Sequence, residues 1–189
     1  MTPRLLAMFP QVTGHGGVQR LSRHTAAALQ AAASERGMEL EVLSLLEVDT
    51  RGTVDVGKVA VPYRGFSRRH GELLRAYRGL AGGAVACWVG HPFMAPLASL
   101  GLLPRPAIPY LVHSHGIEVW QRLPWLRRSA IRRARIASNS SVYTGTRVVA
   151  LQGVAADRLE VLHPALDPDF SIAEQSGPRE PIIDRKSVV

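Results

Sequence analysis

The chain has 189 residues, 46% of them apolar but only 6% aromatic, which suits one domain with an aliphatic core and is short for two. Its 23 basic and 15 acidic residues give a net charge of +8, and 21 of the basic residues are arginine. A single cysteine, Cys87, excludes a disulfide framework and a cysteine-based zinc site; with no run of 18 apolar residues, neither signal peptide nor membrane span is expected, and the expected compartment is cytosolic.

Apolar runs alternate with helical patterns along the chain. Arg4 to Phe9 reads as a buried strand, followed by a glycine-bearing loop from Thr13 to Gly17. Val18, Leu21, Thr25, Ala28, Leu29 and Ala32 mark one face of a helix that Gly37 closes. Glu39 to Leu46 is a second strand and Lys58 to Pro62 a weaker third. A helix from about Ser67 to Leu80 ends at Gly82-Gly83, and Ala84 to Val89 is again a strand. Pro92 to Leu100 reads as a short helix and Ile108 to Val112 as a strand. An arginine-rich amphipathic helix follows, with Leu123, Leu126, Ala130 and Ala134 on its apolar side. Arg135 to Ser138 is a short strand; Ser140 or Ser141 caps a helix running to Gln152, where Gly153 stops it, and Arg158 to Leu162 is the last strand.

This alternation of βαβ units predicts an α/β fold, a doubly wound Rossmann-like parallel sheet covered on both sides. Residues 1–170 form that domain. Beyond them, residues 171–189 have the polar, proline- and glycine-bearing composition of a linker, and Ser187-Val188-Val189 reads as the start of a further strand. In such sheets ligands bind at the carboxyl ends of the strands, so the residues just after each strand carry the chemistry.

Gly16 and Gly17 lie at the first strand-to-helix turn, where glycines let the backbone approach a phosphate and a helix N-terminus offers free N–H groups. The dinucleotide fingerprint needs a glycine where Gln19 stands, which disfavours NAD. His91, His113, His115 and His163 fall at expected strand ends, with Glu118 close to His115. An H-x-H pair with one nearby carboxylate is a weak metal pattern, so no metal site is assigned. His115 points toward the ligand crevice, able to hydrogen-bond a substrate hydroxyl; Glu118 either serves the same site or caps neighbouring backbone N–H groups. Serine-hydrolase and P-loop patterns are absent.

The charge is concentrated. Between Gly57 and Arg147 there are 14 basic residues against Glu72 and Glu118 alone. Arg64, Arg68, Arg69 and His70, with Arg75 and Arg78, form one cluster. Arg127, Arg128 and Arg132, with Arg122, Arg133 and Arg135, form the other. Such faces are either solvated or attract a polyanion, an anionic lipid surface or a nucleic acid. Nucleic acid is disfavoured, because no reading motif and no aromatic platform accompanies the arginines.

Four segments, taken in order, resemble the N-terminal half of GT-B glycosyltransferases of family 4. They are Gly16-Gly17-Val18-Gln19-Arg20, His115-Gly116-Ile117-Glu118-Val119-Trp120, Asn139-Ser140-Ser141-Val142-Tyr143-Thr144, and Arg158 through Pro168. The resemblance implies an acceptor-side domain of a retaining, metal-independent hexosyltransferase, without cofactor, that uses a nucleotide-sugar donor and a glycan or lipid-linked acceptor in polysaccharide or glycolipid synthesis. It implies donor-diphosphate contacts at Gly16 and Gly17, and catalytic roles for His115 and Glu118. It also implies docking of the basic clusters on an acceptor or on the inner face of the cell membrane. The donor domain with its paired glutamates would lie beyond this chain, which is expected to be inactive alone. The alternative is a non-catalytic nucleotide-binding or regulatory module on the same sheet.

Overall fold

The computed structural model describes residues 2–48, 50–101 and 108–164. Eight strands form one sheet: β1 Arg4–Phe9, β2 Glu39–Ser44, β3 Arg51–Val56, β4 Val59–Gly65, β5 Ala84–Val89, β6 Tyr110–Ser114, β7 Ile136–Asn139 and β8 Leu159–Val161. Five α-helices accompany them: α1 Gly17–Glu35, α2 His70–Ala81, α3 Ala95–Gly101, α4 Trp125–Arg133 and α5 Val142–Arg147. The strand order is β3-β4-β2-β1-β5-β6-β7-β8, and every pairing except β3 with β4 is parallel. The fold is therefore the doubly wound α/β sheet that the alternating pattern implies. From β1 the chain winds outward to β2 on one side and later to β5 on the other, which makes the carboxyl ends of β1 and β5 the switch point.

Strand periodicity divides the core. Leu6 and Met8 of β1 point into a cluster with Leu73, Tyr77, Val112 and Ile131, on the face covered by α2, α3 and α4. Ala7 and Phe9 point the other way, into a second cluster with Ala26, Ala33, Val42 and Val61 under α1. All eight of these β1 and helix contributors to which α1 and α2 owe their seats, Leu6 to Phe9 with Ala26, Ala33, Leu73 and Tyr77, are no more than 1% exposed.

Four sequence expectations shift. The buried stripe of α1 is Ser22, Ala26, Ala27 and Ala33, while Ala28 is exposed and Val18, Leu21, Thr25, Leu29 and Ala32 flank the contact. Small side chains at the centre let the helix sit close to the sheet, and longer ones close the margins. The weak third strand is half of a hairpin, since β3 and β4 pair antiparallel around Gly57-Lys58 with Gly57 at φ 55°. Helix α2 starts at His70 because Ser67 and Arg68 take left-handed φ values of 46° and 65°. Helix α4 starts only after Pro124, whose extended backbone and restriction of the preceding residue hold Arg122 and Leu123 outside it. Leu126 and Trp125 are consequently solvent-facing, and Ala130 and Ile131 make the buried contact. The linker and the further strand read at 171–189 lie outside the described residues.

Gly90, just past β5, donates its N–H to the Met8 carbonyl at 2.7 Å. A Cβ there would stand 2.7 Å from Phe9 Cε1 and 3.3 Å from the Met8 oxygen, both fixed in the core. Gly90→Ala is expected to destabilise the domain by about 1–3 kcal/mol in urea unfolding, as overpacking does. Gly71→Ala, on α2 where a Cβ meets nothing within 4 Å, is the contrast and should be neutral or stabilising. Equal midpoints for Gly90→Ala and the parent would refute the close approach.

Candidate functional site

The loop after β1 is built by a residue from the neighbouring strand. Glu47, three residues past β2 and 7% exposed, accepts hydrogen bonds from Val12 N at 3.0 Å, Thr13 N at 2.7 Å and Thr13 Oγ1 at 2.6 Å. Arg23, one turn into α1, donates to the Gly14 carbonyl at 2.7 Å. Gly14 and Gly16 take φ values of 81° and 136°, which favour glycine. Gly17 has no such requirement: its φ is not positive and a Cβ there would meet nothing within 4 Å. Gly16 caps α1 without any side-chain hydrogen bond, so the first N–H groups of a 19-residue helix face outward at the switch point.

Glu47 also serves the next turn. Its backbone oxygen accepts from Ser67 N at 2.6 Å, and Leu45 O accepts from Arg68 N at 2.7 Å. The left-handed pair Ser67-Arg68 is thereby pinned to the end of β2, at about 1–2 kcal/mol of backbone strain per residue. This places Arg68, Arg69 and His70, all exposed, at the same sheet edge as Gly16 and Gly17. Arg69 is occupied, donating to Phe66 O at 3.3 Å and pairing with Glu72 at 3.1 Å. Arg64 lies within β4, its guanidinium 5.0 Å from the centroid of the Phe66 ring.

On the other side of the switch point, His115 follows β6. Its Nε2 lies 2.8 Å from the Gly90 carbonyl oxygen, which can only accept, so that nitrogen carries the proton. Among the described residues Nδ1 has no hydrogen-bond partner, and in the neutral ring it is an acceptor. Glu118 accepts from His115 N with Oε1 and from Gly116 N at 2.9 Å with Oε2. Both oxygens thus bond backbone N–H groups of the loop, the contact that the capping alternative describes.

The other histidines diverge. β6 runs two residues further than its apolar stretch implies, which puts His113 inside the strand, 3% exposed, rather than in the crevice. Its Nδ1 lies 2.8 Å from Ser138 Oγ on the neighbouring strand, in register with it. His91 accepts from Phe93 N at 3.2 Å through Nδ1 and so caps the short turn Pro92–Met94. The ring centroids of His91 and His113 lie 5.6 and 4.9 Å from that of His115. His163, past β8, bonds Ser140 O at 3.2 Å and is exposed. Burial pushes the His113 imidazole down to about 4, helped by repulsion from His115 and His91. Burial likewise lowers His91 to about 4, against attraction by Glu118 and with repulsion from His115 and Arg127. Among the described residues no group of three or more His, Cys, Asp or Glu is arranged to hold a metal ion.

The second arginine cluster splits. Arg127 is exposed, and its charge is one of the repulsions felt by His91. Arg128 and Arg132, four residues apart, turn away toward a separate cavity with Arg122. No helix is long and apolar enough to cross a membrane, among the described residues. Sequence reasoning missed Glu47 and the Gly90 carbonyl; the usable signal for Glu47 was a lone carboxylate immediately beyond the strand read as ending at Leu46.

Fold and site together define a Rossmann-like α/β domain with an uncapped helix N-terminus at its switch point. By sequence, no protein-family model and no curated protein matches the chain. Among solved structures it is similar to Anabaena Alr3699/HepE in complex with UDP, with a TM-score of 0.50, 13% identity, and 88% of this chain covered. The same protein with UDP and glucose gives a TM-score of 0.48 at 11% identity, over 86% of this chain. The chain spans 44% of the length of that protein, so the likeness is one of fold over under half of it.

A histidine whose folded pKa is depressed favours folding in its neutral form. Its contribution is fully present above the ordinary value of 6.5 and is lost as pH falls toward about 4. The urea midpoint is expected to fall as pH drops below 6.5, and His113→Gln should flatten that fall above the carboxylate range. A pH profile identical in parent and variant would exclude His113 as its source.

Proposed function

We propose that this chain is the acceptor-side domain of a retaining GT-B glycosyltransferase, moving a hexose from a nucleotide-sugar donor to a glycan or lipid-linked acceptor. The observation that carries the reading is the pairing, at one sheet edge, of an uncapped α1 N-terminus with a histidine whose free Nδ1 is set by two tethers. The first suits a diphosphate, because outward N–H groups and the helix dipole stabilise the charge that grows on a departing leaving group. The second suits a hydroxyl of the transferred sugar. The UDP bound by the structurally similar HepE supports a nucleotide donor. Leaving-group charge is met in this scheme by backbone and side chains, without a metal ion. Glu118 acts through His115 by holding its loop.

In this reading the chain supplies one wall of a cleft. A second domain supplies the other and most of the nucleotide contacts, so the 189 residues alone should give no transfer. In the complete enzyme His115→Ala is expected to lower turnover by about 10²–10³ while donor affinity stays within a few-fold. Gly17→Ala is expected to do the reverse to binding, weakening nucleotide-diphosphate affinity in calorimetric titration while the melting temperature holds or rises, since the fold itself leaves room for the methyl group. Turnover by the isolated chain, or an unaltered rate in His115→Ala, would overturn the proposal. Arg68 and His70, both exposed, with Arg64 in the strand before them, suit an anionic surface carrying a lipid-linked acceptor. Flotation with anionic vesicles should then weaken in Arg68→Ala; unchanged flotation would remove the membrane from the scheme.

A further inference from the structure

The cavity behind α4 is a second feature, independent of the switch-point site. It is open, about 500 Å³ in volume, and lined by Arg122, Arg128, Arg132, Ala150, Leu151, Gln152 and Gly153. Three of these seven are arginines, and no carboxylate lines it among the described residues. No ion pair joins Arg122, Arg128 or Arg132 to an acidic side chain among the described residues. Guanidinium groups are charged at every working pH, so their mutual repulsion persists unless an anion offsets it.

The arginines are carried on a fixed frame. Arg128 and Arg132 stand one helical turn apart on α4. Arg122 sits on the extended stretch before Pro124, and that stretch is locked by Gln152, which is 1% exposed. Gln152 accepts from Leu123 N at 3.1 Å and donates to Val119 O at 2.9 Å and Gln121 O at 2.7 Å. Gln152 itself belongs to a widened helical turn, Val148–Gln152, that Gly153 closes at φ 71°. Widened turns of this kind recur at functional sites. Arg158 donates to the Arg132 carbonyl at 3.4 Å and ties the end of α4 to the turn before β8.

We infer that Arg122, Arg128 and Arg132 form a binding site for a phosphate monoester. The planar forks of three arginines match the several acceptor oxygens of a phosphate better than the two of a carboxylate. A volume in the small-ligand range leaves room for an organic group beyond the phosphate. Ala150 and Leu151 supply the apolar part of the wall that such a group would touch. The same chemistry is offered by a free phosphorylated metabolite and by the headgroup of phosphatidate in a bilayer. The inference does not require that the chain transfer sugar.

The test titrates the purified chain with glycerol 3-phosphate by calorimetry, and separately with phosphatidylcholine vesicles doped with phosphatidate by flotation. Saturable binding of glycerol 3-phosphate assigns the site to a free ligand; binding to doped vesicles alone, retained in Arg68→Ala and lost in the arginine double variant below, assigns it to the headgroup. In either arm the double variant Arg128→Gln/Arg132→Gln should lose at least about tenfold in affinity. Ala150→Glu, which retains every arginine and places a carboxylate on an exposed position of the wall, should lose a similar amount. Arg75→Gln, which removes one exposed charge on α2, should change affinity by less than about twofold. Circular dichroism of each variant accompanies the titrations. No binding in either arm by the folded parent chain, or a loss in Arg75→Gln equal to that in the double variant, would overturn the site.

Discussion

Glu47, through its carboxylate and its backbone oxygen, joins three strand ends that would otherwise be separate loops. Its side chain takes both N–H groups and the hydroxyl offered by Val12 and Thr13 after β1, and its backbone oxygen takes the N–H of Ser67 after β4. A carboxyl group this far from water needs compensating hydrogen bonds, and those three donors provide them. The position of the α1 N-terminus follows from this carboxylate together with Val12, which is fully buried in the core under α1, and the Pro10 carbonyl, which accepts from Leu46 N at 2.9 Å. The orientation of the strained pair Ser67-Arg68 follows from the Glu47 backbone oxygen. On the opposite side of the switch point the Gly90 carbonyl plays the matching part, fixing the tautomer of His115 while Glu118 fixes its backbone. Two tethers thus define one edge, and neither uses a side chain that would itself contact a ligand.

Much of the sheet was legible because a parallel strand buried on both faces leaves an unbroken apolar run, as in Leu5 to Phe9 and Ala84 to Val89. The hairpin was not, because Arg51–Val56 alternates polar and apolar residues at a sheet edge and one of its two faces is wet. The end of β6 was hidden for a related reason. His113 and Ser114 are polar in sequence yet buried, with Ser138 supplying the partner for His113 across the register, and no local pattern reports a partner 25 residues away. Gly16, Gly17, His115 and Glu118 are singled out by their positions after a strand, and the structure places them in the loops that follow β1 and β6. Which way Glu118 turns was not legible, since a carboxylate two residues past a glycine can reach either into a crevice or back to the chain, and here it reaches back. Glu47 escaped because its three partners all lie more than 30 residues earlier.

Charge behaves differently once the helix bounds are known. Read as one amphipathic stripe, the second arginine cluster is a single basic face. Pro124 shortens the helix and breaks up the stripe: Arg128 and Arg132 line a cavity with the widened turn, and Arg127 does not line it. The exposed Leu126, expected on the apolar side of the helix, belongs to the same change, and Trp125 beside it is exposed too. Several other large apolar side chains, Ile117, Val142 and Tyr143 among them, are also open to solvent on the segments that follow β6 and β7. The edge that carries the polar chemistry is thus also where apolar surface is left uncovered.

The hairpin has a bearing on how such a domain stays monodisperse. A parallel sheet that ended on β4 would present a long run of open backbone donors and acceptors, a template for strand addition by any unfolded neighbour. β3 covers that run and becomes the outermost strand, with no strand on its far side among the described residues. It is six residues long, and Arg51, Thr53 and Asp55, every second residue along it, are exposed. An incoming strand would meet alternating charges of opposite sign beside Lys58 at the turn, and Gly52 weakens the β-propensity of the segment itself. The two-residue turn at Gly57 is thus what sets a short strand with charged, exposed side chains at this end of the sheet.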